Sequence, residues 1–213
     1  SGALAHSITI YNSAVIKNES LALIYYYRAG AFFAQQKYHA TIDDLNKALE
    51  LNDHLELALC LRGLAYAKLK RSVEALSDLD RALSISPTNA YLYVKRGQLR
   101  RSNKDVEGSL IDHERAVKLA PKYPVAWYQL GLTRLALQDE QGGLSAFSKS
   151  LGLRSSAEVF ASRGRVYEEL KMTDTALKDY IQATRLGIKD ADVYARRGLI
   201  YKKKKQLEKA LAS

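Results

Sequence analysis

Residues 62–87 read RGLAYAKLKRSVEALSDLDRALSISP, and their spacing decides the fold. Counted from Gly63, Tyr66 lies 3 residues on, Ala75 12, Leu79 16, Ala82 19 and Pro87 24. Two helices that cross closely need small residues at the contact, bulky apolar residues where they interlock, and a proline where the second must stop. The stretch supplies all three in that order. The pattern also recurs. Gly97, Gly131, Gly164 and Gly198 follow Gly63 in steps of 34, 34, 33 and 34, and Ala29 precedes it by 34. A second small residue, 19 positions later, falls on Ala48, Ala82, Ala116, Ser150 and Ala183.

This arrangement resembles the tetratricopeptide repeat (TPR), a 34-residue helix-turn-helix whose pattern runs W-x2-L-G-x2-Y, then A-x3-F, then P. The resemblance implies an all-α, right-handed superhelical solenoid of antiparallel helix pairs. Numbering each repeat so that Gly63 is position 8 places five repeats at 22–55, 56–89, 90–123, 124–156 and 157–190. In each, the first helix is expected over positions 1 to 14 and the second over 15 to about 28. Residues 1–21 read as the second helix of a preceding partial repeat, with Ala3 to Lys17 helical, and 191–213 as a truncated sixth repeat. Both ends break within a repeat and neither carries an evident polar cap, so the chain is expected to be a fragment of a longer array forming one solenoid.

Composition agrees with a helical chain of few breakers: three prolines and twelve glycines in 213 residues. The single cysteine, Cys60, excludes an intramolecular disulfide framework and fits a reducing compartment. No run of 18 apolar residues exists and the opening residues do not look like a signal peptide, so a soluble, cytoplasmic protein is expected. The net charge of +10 is lopsided. Residues 1–90 hold 9 Lys/Arg and 9 Asp/Glu, residues 91–213 hold 24 and 14. A basic half attracts acidic proteins, nucleic acid or lipid surfaces, and charge alone does not choose among them.

Arg28, Arg62, Arg96 and Arg163, all at position 7, are each followed 16 residues later by an aspartate: Asp44, Asp78, Asp112 and Asp179. Repeat four has Leu130 and Ala146 instead, so both partners vanish together. That covariation predicts structural ion pairs tying the first helix to the second; the alternative is that the arginines bind an acidic ligand. Repeat four is irregular elsewhere: Arg134 replaces the tyrosine, Gly142-Gly143 opens the second helix and Ser155 replaces the proline. Two glycines there predict a soft helix.

Catalytic signatures do not appear. His6, His39, His54 and His113 have no metal-ligand spacing with Cys60, and His113 falls at packing position 24. No phosphate loop, nucleophile elbow or dinucleotide fingerprint occurs. No metal, cofactor or small-molecule substrate is therefore expected, and no enzymatic activity.

In the TPR family the first helices line a concave groove through positions 2, 5, 9, 12 and 13. Carried onto this chain, the resemblance implies groove residues Leu23, Tyr26, Phe33, Leu57, Cys60, Leu64, Tyr91, Val94, Gln98, Arg101, Tyr128 and Leu132, apolar at the start, with Glu158, Arg165, Glu168 and Asp192 making the later part charged. The carboxylate clamp of chaperone adaptors is missing: its positions hold Tyr26, Gly30, Leu61, Tyr91 and Lys95. The expected function is a non-catalytic scaffold holding a peptide or helix of another protein in a larger assembly. A second reading gives the later basic half a weak association with nucleic acid or an acidic surface, centred on the patch Lys202, Lys203, Lys204 and Lys205. Tyr194 and Tyr201 near that patch fall at packing positions 4 and 11.

Overall fold

Short turns between helices of similar length force each consecutive pair to run antiparallel, and the chain repeats this hairpin throughout. A computed structural model describes residues 7–13 and 21–211, with side chains through residue 205. Of the helix expected over Ala3 to Lys17, only residues 7–13 (α1) lie among those described. No strand occurs among the described residues. Two compact units result, Ser1–Leu119 and Ala120–Ser213.

In the first unit, α1 is followed by the pairs α2 (Ala22–Ala34) with α3 (Tyr38–Leu51), α4 (Glu56–Lys68) with α5 (Ser72–Ile85), and α6 (Ala90–Ser102) with α7 (Val106–Leu119). Within it α3 packs on α4 and α5 on α6. The second unit holds α8 (Pro124–Ala136) with α9 (Glu140–Leu153), α10 (Ala157–Glu169) with α11 (Thr173–Arg185), and α12 (Ala191–Leu211) against α11. The first helices thus end at position 13, one earlier than expected from sequence, and the second run from position 17 to 29 or 30, later than expected. Three residues are needed to reverse the chain.

Those three residues adopt one conformation five times. Gln36, Lys70, Lys104, Gln138 and Lys171, all at position 15, have φ between 60° and 67°. The N–H of Lys37 returns to the carbonyl of Phe32 at 3.0 Å and that of Gln36 to Phe33 at 2.9 Å, and the same two bonds close the other four turns. This is the Schellman arrangement, which satisfies carbonyls left open at a helix end. Glycine usually occupies the left-handed residue. Here unbranched polar side chains do, at a cost of about 1–2 kcal/mol each.

The core sits between the two helices of each pair. At position 24, Leu45, Leu79, His113, Phe147 and Tyr180 are fully buried, and they press on position 8 of the facing helix. A Cβ on Gly97, Gly131 or Gly164 would meet the ring of His113, Phe147 or Tyr180 at 2.5–2.8 Å. In repeat two the neighbour is backbone: a Cβ on Gly63 would lie 3.0 Å from the carbonyl oxygen of Ala75. Glycine at these sites is a packing requirement.

Helix α9 is continuous from Glu140 to Leu153. Its glycines serve contacts that the sequence did not reveal. Asp139 caps the helix by accepting from Gly142 N at 2.8 Å, and a Cβ on Gly143 would stand 2.7 Å from Leu135 Cδ2. Leu130 and Ala146, each 1% exposed, fill the place of the ion pair with apolar contact.

Candidate binding surface

Four arginine pairs fix how the first helices are presented. Arg62 donates from Nε and Nη2 to the two carboxylate oxygens of Asp78 at 2.8 and 2.7 Å. The same fork joins Arg28 to Asp44 (2.7 and 2.6 Å), Arg96 to Asp112 (3.0 and 2.6 Å) and Arg163 to Asp179 (2.7 and 2.8 Å). Such bidentate, charge-assisted geometry is specific to the guanidinium. These hydrogen bonds raise the pKa of Arg28, Arg62 and Arg163 above the ordinary arginine value against the opposing effect of burial. A third arm was not foreseen. Nη1 of each arginine reaches back to the preceding second helix: Arg28 to Asn12 (3.0 Å), Arg62 to Asn46 (2.8 Å), Arg96 to Asp80 (2.7 Å) and Arg163 to Ser148 (3.0 Å).

In the first unit, the exposed ends of α2, α4 and α6 carry Leu23, Leu57 and Tyr91, one per repeat at position 2. Between them lies a pocket of about 200 Å³ lined by Tyr26, Leu57, Cys60, Leu61, Leu64 and Tyr91. One expected groove residue is corrected: Val94 is fully buried, because neighbouring helices close over it, whereas Cys60, 2% exposed, still lines the pocket. Cys60 forms the floor of the pocket, and Val94 offers no surface. Burial pushes the Cys60 thiol up to about 11 against the pull of the Lys95 charge, so it acts there as an apolar group. Tyr26 and Leu64 are half-buried and pack on the core as well as facing the pocket. Leu61, which sequence reasoning placed only as a missing clamp residue, is part of the wall. Phe33 turns aside to pack edge-on against Tyr38, with ring centroids 5.4 Å apart. Gln98 and Arg101 are half-buried farther along α6, and Lys95 Nζ lies 5.0 Å from the Tyr91 ring centroid.

The second unit presents a different face. Tyr128 bonds Ser162 through its hydroxyl at 3.2 Å, and Leu132 borders a pocket of about 650 Å³ shared with Leu135, Gln138, Glu140, Ser162, Arg165, Val166 and Glu169. Beside it the charges pair with one another. Arg165 engages Asp190 and, at 3.4 Å, Asp192; Arg196 bridges Asp192 (2.7 Å) and Glu168 (3.1 Å). Tyr180 donates to Glu168 at 2.7 Å; burial first, and then that bond, raises its pKa well above the ordinary phenol value. Asp192 is held below the usual carboxylate range chiefly by its bond from Arg196.

Lys202, Lys203, Lys204 and Lys205 lie inside α12, which runs on to Leu211, and not at a helix end. Lys204 pairs with Asp174. Tyr194 and Tyr201 are 44% and 50% exposed; among the described helices α12 packs on α11, and that contact buries Ile200 and Val193.

Two tetratricopeptide repeat family models match the chain, one over residues 56–89 and the other over 191–213. The chain thus carries tetratricopeptide repeats at these two places. A chain of the APC/C hetero-tetramer Cut9-Hcn1 has the same fold, with a TM-score of 0.80 at 19% identity over 95% of this chain. This chain spans 40% of that one's length. A TPR protein from Parabacteroides merdae gives 0.74 at 17% identity, covering 94% of this chain and 78% of its own. YrrB, described as a TPR protein with an unusual peptide-binding site, gives 0.64 at 20% identity, with 88% and 97% covered. At these identities the TPR likeness is one of fold. No curated protein matches by sequence comparison. The TPR fold is that of a protein–protein interaction scaffold, and no described helix is long and apolar enough to cross a membrane.

Proposed function

We propose that this TPR protein is a non-catalytic scaffold that holds a peptide or helix from another protein against α2, α4 and α6 of its first unit. The observation that carries this reading is the pocket of Tyr26, Leu57, Cys60, Leu61, Leu64 and Tyr91, apolar in the part of the groove where an adaptor's carboxylate clamp would be charged. Leu57 at 44% and Tyr91 at 39% exposure leave large apolar area in water, and such area gains about 25 cal/mol per Å² when a partner covers it. The peptide-binding site named for YrrB, a protein of the same fold, supports the reading.

Leu57→Lys tests it with little disturbance of the core, because Leu57 is exposed. Peptides selected from a random array on the unaltered chain should lose binding to Leu57→Lys and keep it to Val73→Lys, a control 80% exposed on α5. Equal binding to both variants would reject the site.

A further inference from the structure

The second unit belongs to the basic part of the sequence, yet the pocket beside Leu132 is lined by two glutamates and one arginine. Leu132, Leu135 and Val166 form its apolar wall, and Glu140, Glu169 and Arg165 are its charged residues. Arg165 is already committed to Asp190 and Asp192. Glu140 and Glu169 make no ion pair among the described residues. An adjoining pocket sharing Ser162 and Arg165 adds Glu158 and Lys189, its Asp190 being the partner of Arg165. Glu169 is also poorly placed for its own helix. It lies in the last turn of α10, which holds no basic residue, and a helix C-terminus favours cations.

We propose that this pocket receives a lysine or arginine side chain from a basic, partly apolar segment of another protein. A long aliphatic stem ending in a cation fits the two-sided lining: the stem lies along Leu132, Leu135 and Val166 while the head meets Glu140 and Glu169. The excess positive charge of the sequence therefore sits on other faces of the molecule, and the pocket selects for the opposite sign. The site is separate from the apolar pocket of the first unit, so either can fail alone.

The test is fluorescence anisotropy of the full chain with two labelled probes at about 100 mM salt, where long-range attraction is screened. One is Gly-Arg-Leu-Arg-Gly-Arg-Leu-Arg amide; the other carries Glu for every Arg. The basic probe should bind at least about ten-fold tighter. Glu140→Gln with Glu169→Gln should remove that preference, whereas Leu57→Lys should leave it. Both glutamates are exposed, and unchanged thermal melting would establish that the double variant is folded. Equal or tighter binding of the acidic probe would overturn the proposal. So would a double variant that keeps the basic probe within about two-fold of the original affinity. If sedimentation shows a dimer that Glu140→Gln with Glu169→Gln dissolves, the occupant is a second copy, and the proposal of a separate partner fails.

Discussion

The ring of Phe147 occupies the space a side chain on residue 131 would need: a Cβ built on Gly131 would stand 2.5 Å from Phe147 Cε1. Gly131→Ala should therefore lower stability by about 1–3 kcal/mol, the usual cost of overpacking. Repeat one has Ala29 and Leu45 at the same two positions, both fully buried. Combining Gly131→Ala with Phe147→Leu should recover part of the loss, read as favourable coupling in a double-mutant cycle by urea unfolding. Strict additivity would refute the packing argument.

The forked pair of Arg62 and Asp78 makes an equally direct prediction. Arg62→Leu strands a carboxylate that is 9% exposed, and the expected loss is about 3–5 kcal/mol. Arg62→Leu with Asp78→Ala reproduces the Leu130 and Ala146 pair of repeat four and should cost less than either single change. Asn46→Ala, which removes the third arm, should cost about 0.5–1.5 kcal/mol. Urea midpoints of the four variants decide the ranking.

His113 is fully buried, with its Nδ1 3.3 Å from Ser109 Oγ. Burial first, and then the nearby charge of Arg101, lowers its pKa to about 4. The unfolded chain titrates near 6.5, so protonation favours unfolding between these values. Stability from this group is complete above about pH 6.5 and declines as pH falls toward 4, by roughly 3 kcal/mol at most. His113→Leu, which copies positions 45 and 79, should flatten the stability profile between about pH 6.5 and 4.5. Parallel slopes for the two proteins would dismiss His113 as the cause.

Lys202, Lys203 and Lys205 are exposed on α12 beside Tyr194 and Tyr201. Weak, sequence-blind association with a single-stranded oligonucleotide is expected at about 50 mM salt and should largely vanish by about 200 mM, as counterion release dictates. Glutamine at all four lysine positions should abolish it without altering peptide binding at Leu57. Tight, selective binding at the higher salt would displace the scaffold reading.

The fold is legible because its determinants repeat at one period: a small residue at position 8 opposite a bulky one at position 24 needs no tertiary knowledge to be noticed. Other features escape for identifiable reasons. The left-handed turn residues are Gln and Lys, so the usual glycine signal is absent. The back-reaching partners Asn12, Asn46, Asp80 and Ser148 recur at one repeat position, but as amide, carboxylate or hydroxyl, so no single residue type marks them. Val94 sits at a groove position yet is covered by neighbouring helices, which a count within one helix does not reveal. The pocket of Glu140 and Glu169 is hidden beneath a basic average, since net charge carries no information about faces.

The three-armed arginines also give the chain a direction. Arg62 finds Asn46 16 residues behind it and Asp78 16 residues ahead. During synthesis the partner behind has already left the ribosome when the arginine emerges, and the partner ahead has not. Each new first helix can thus be moored to finished structure before its own second helix exists. Repeat four has Leu130 at that position, a side chain that can donate no such hydrogen bond. Nascent chains arrested when α4 has cleared the ribosome and α5 has not should accordingly resist protease at α4 more than chains arrested at the matching point for α8 resist it there.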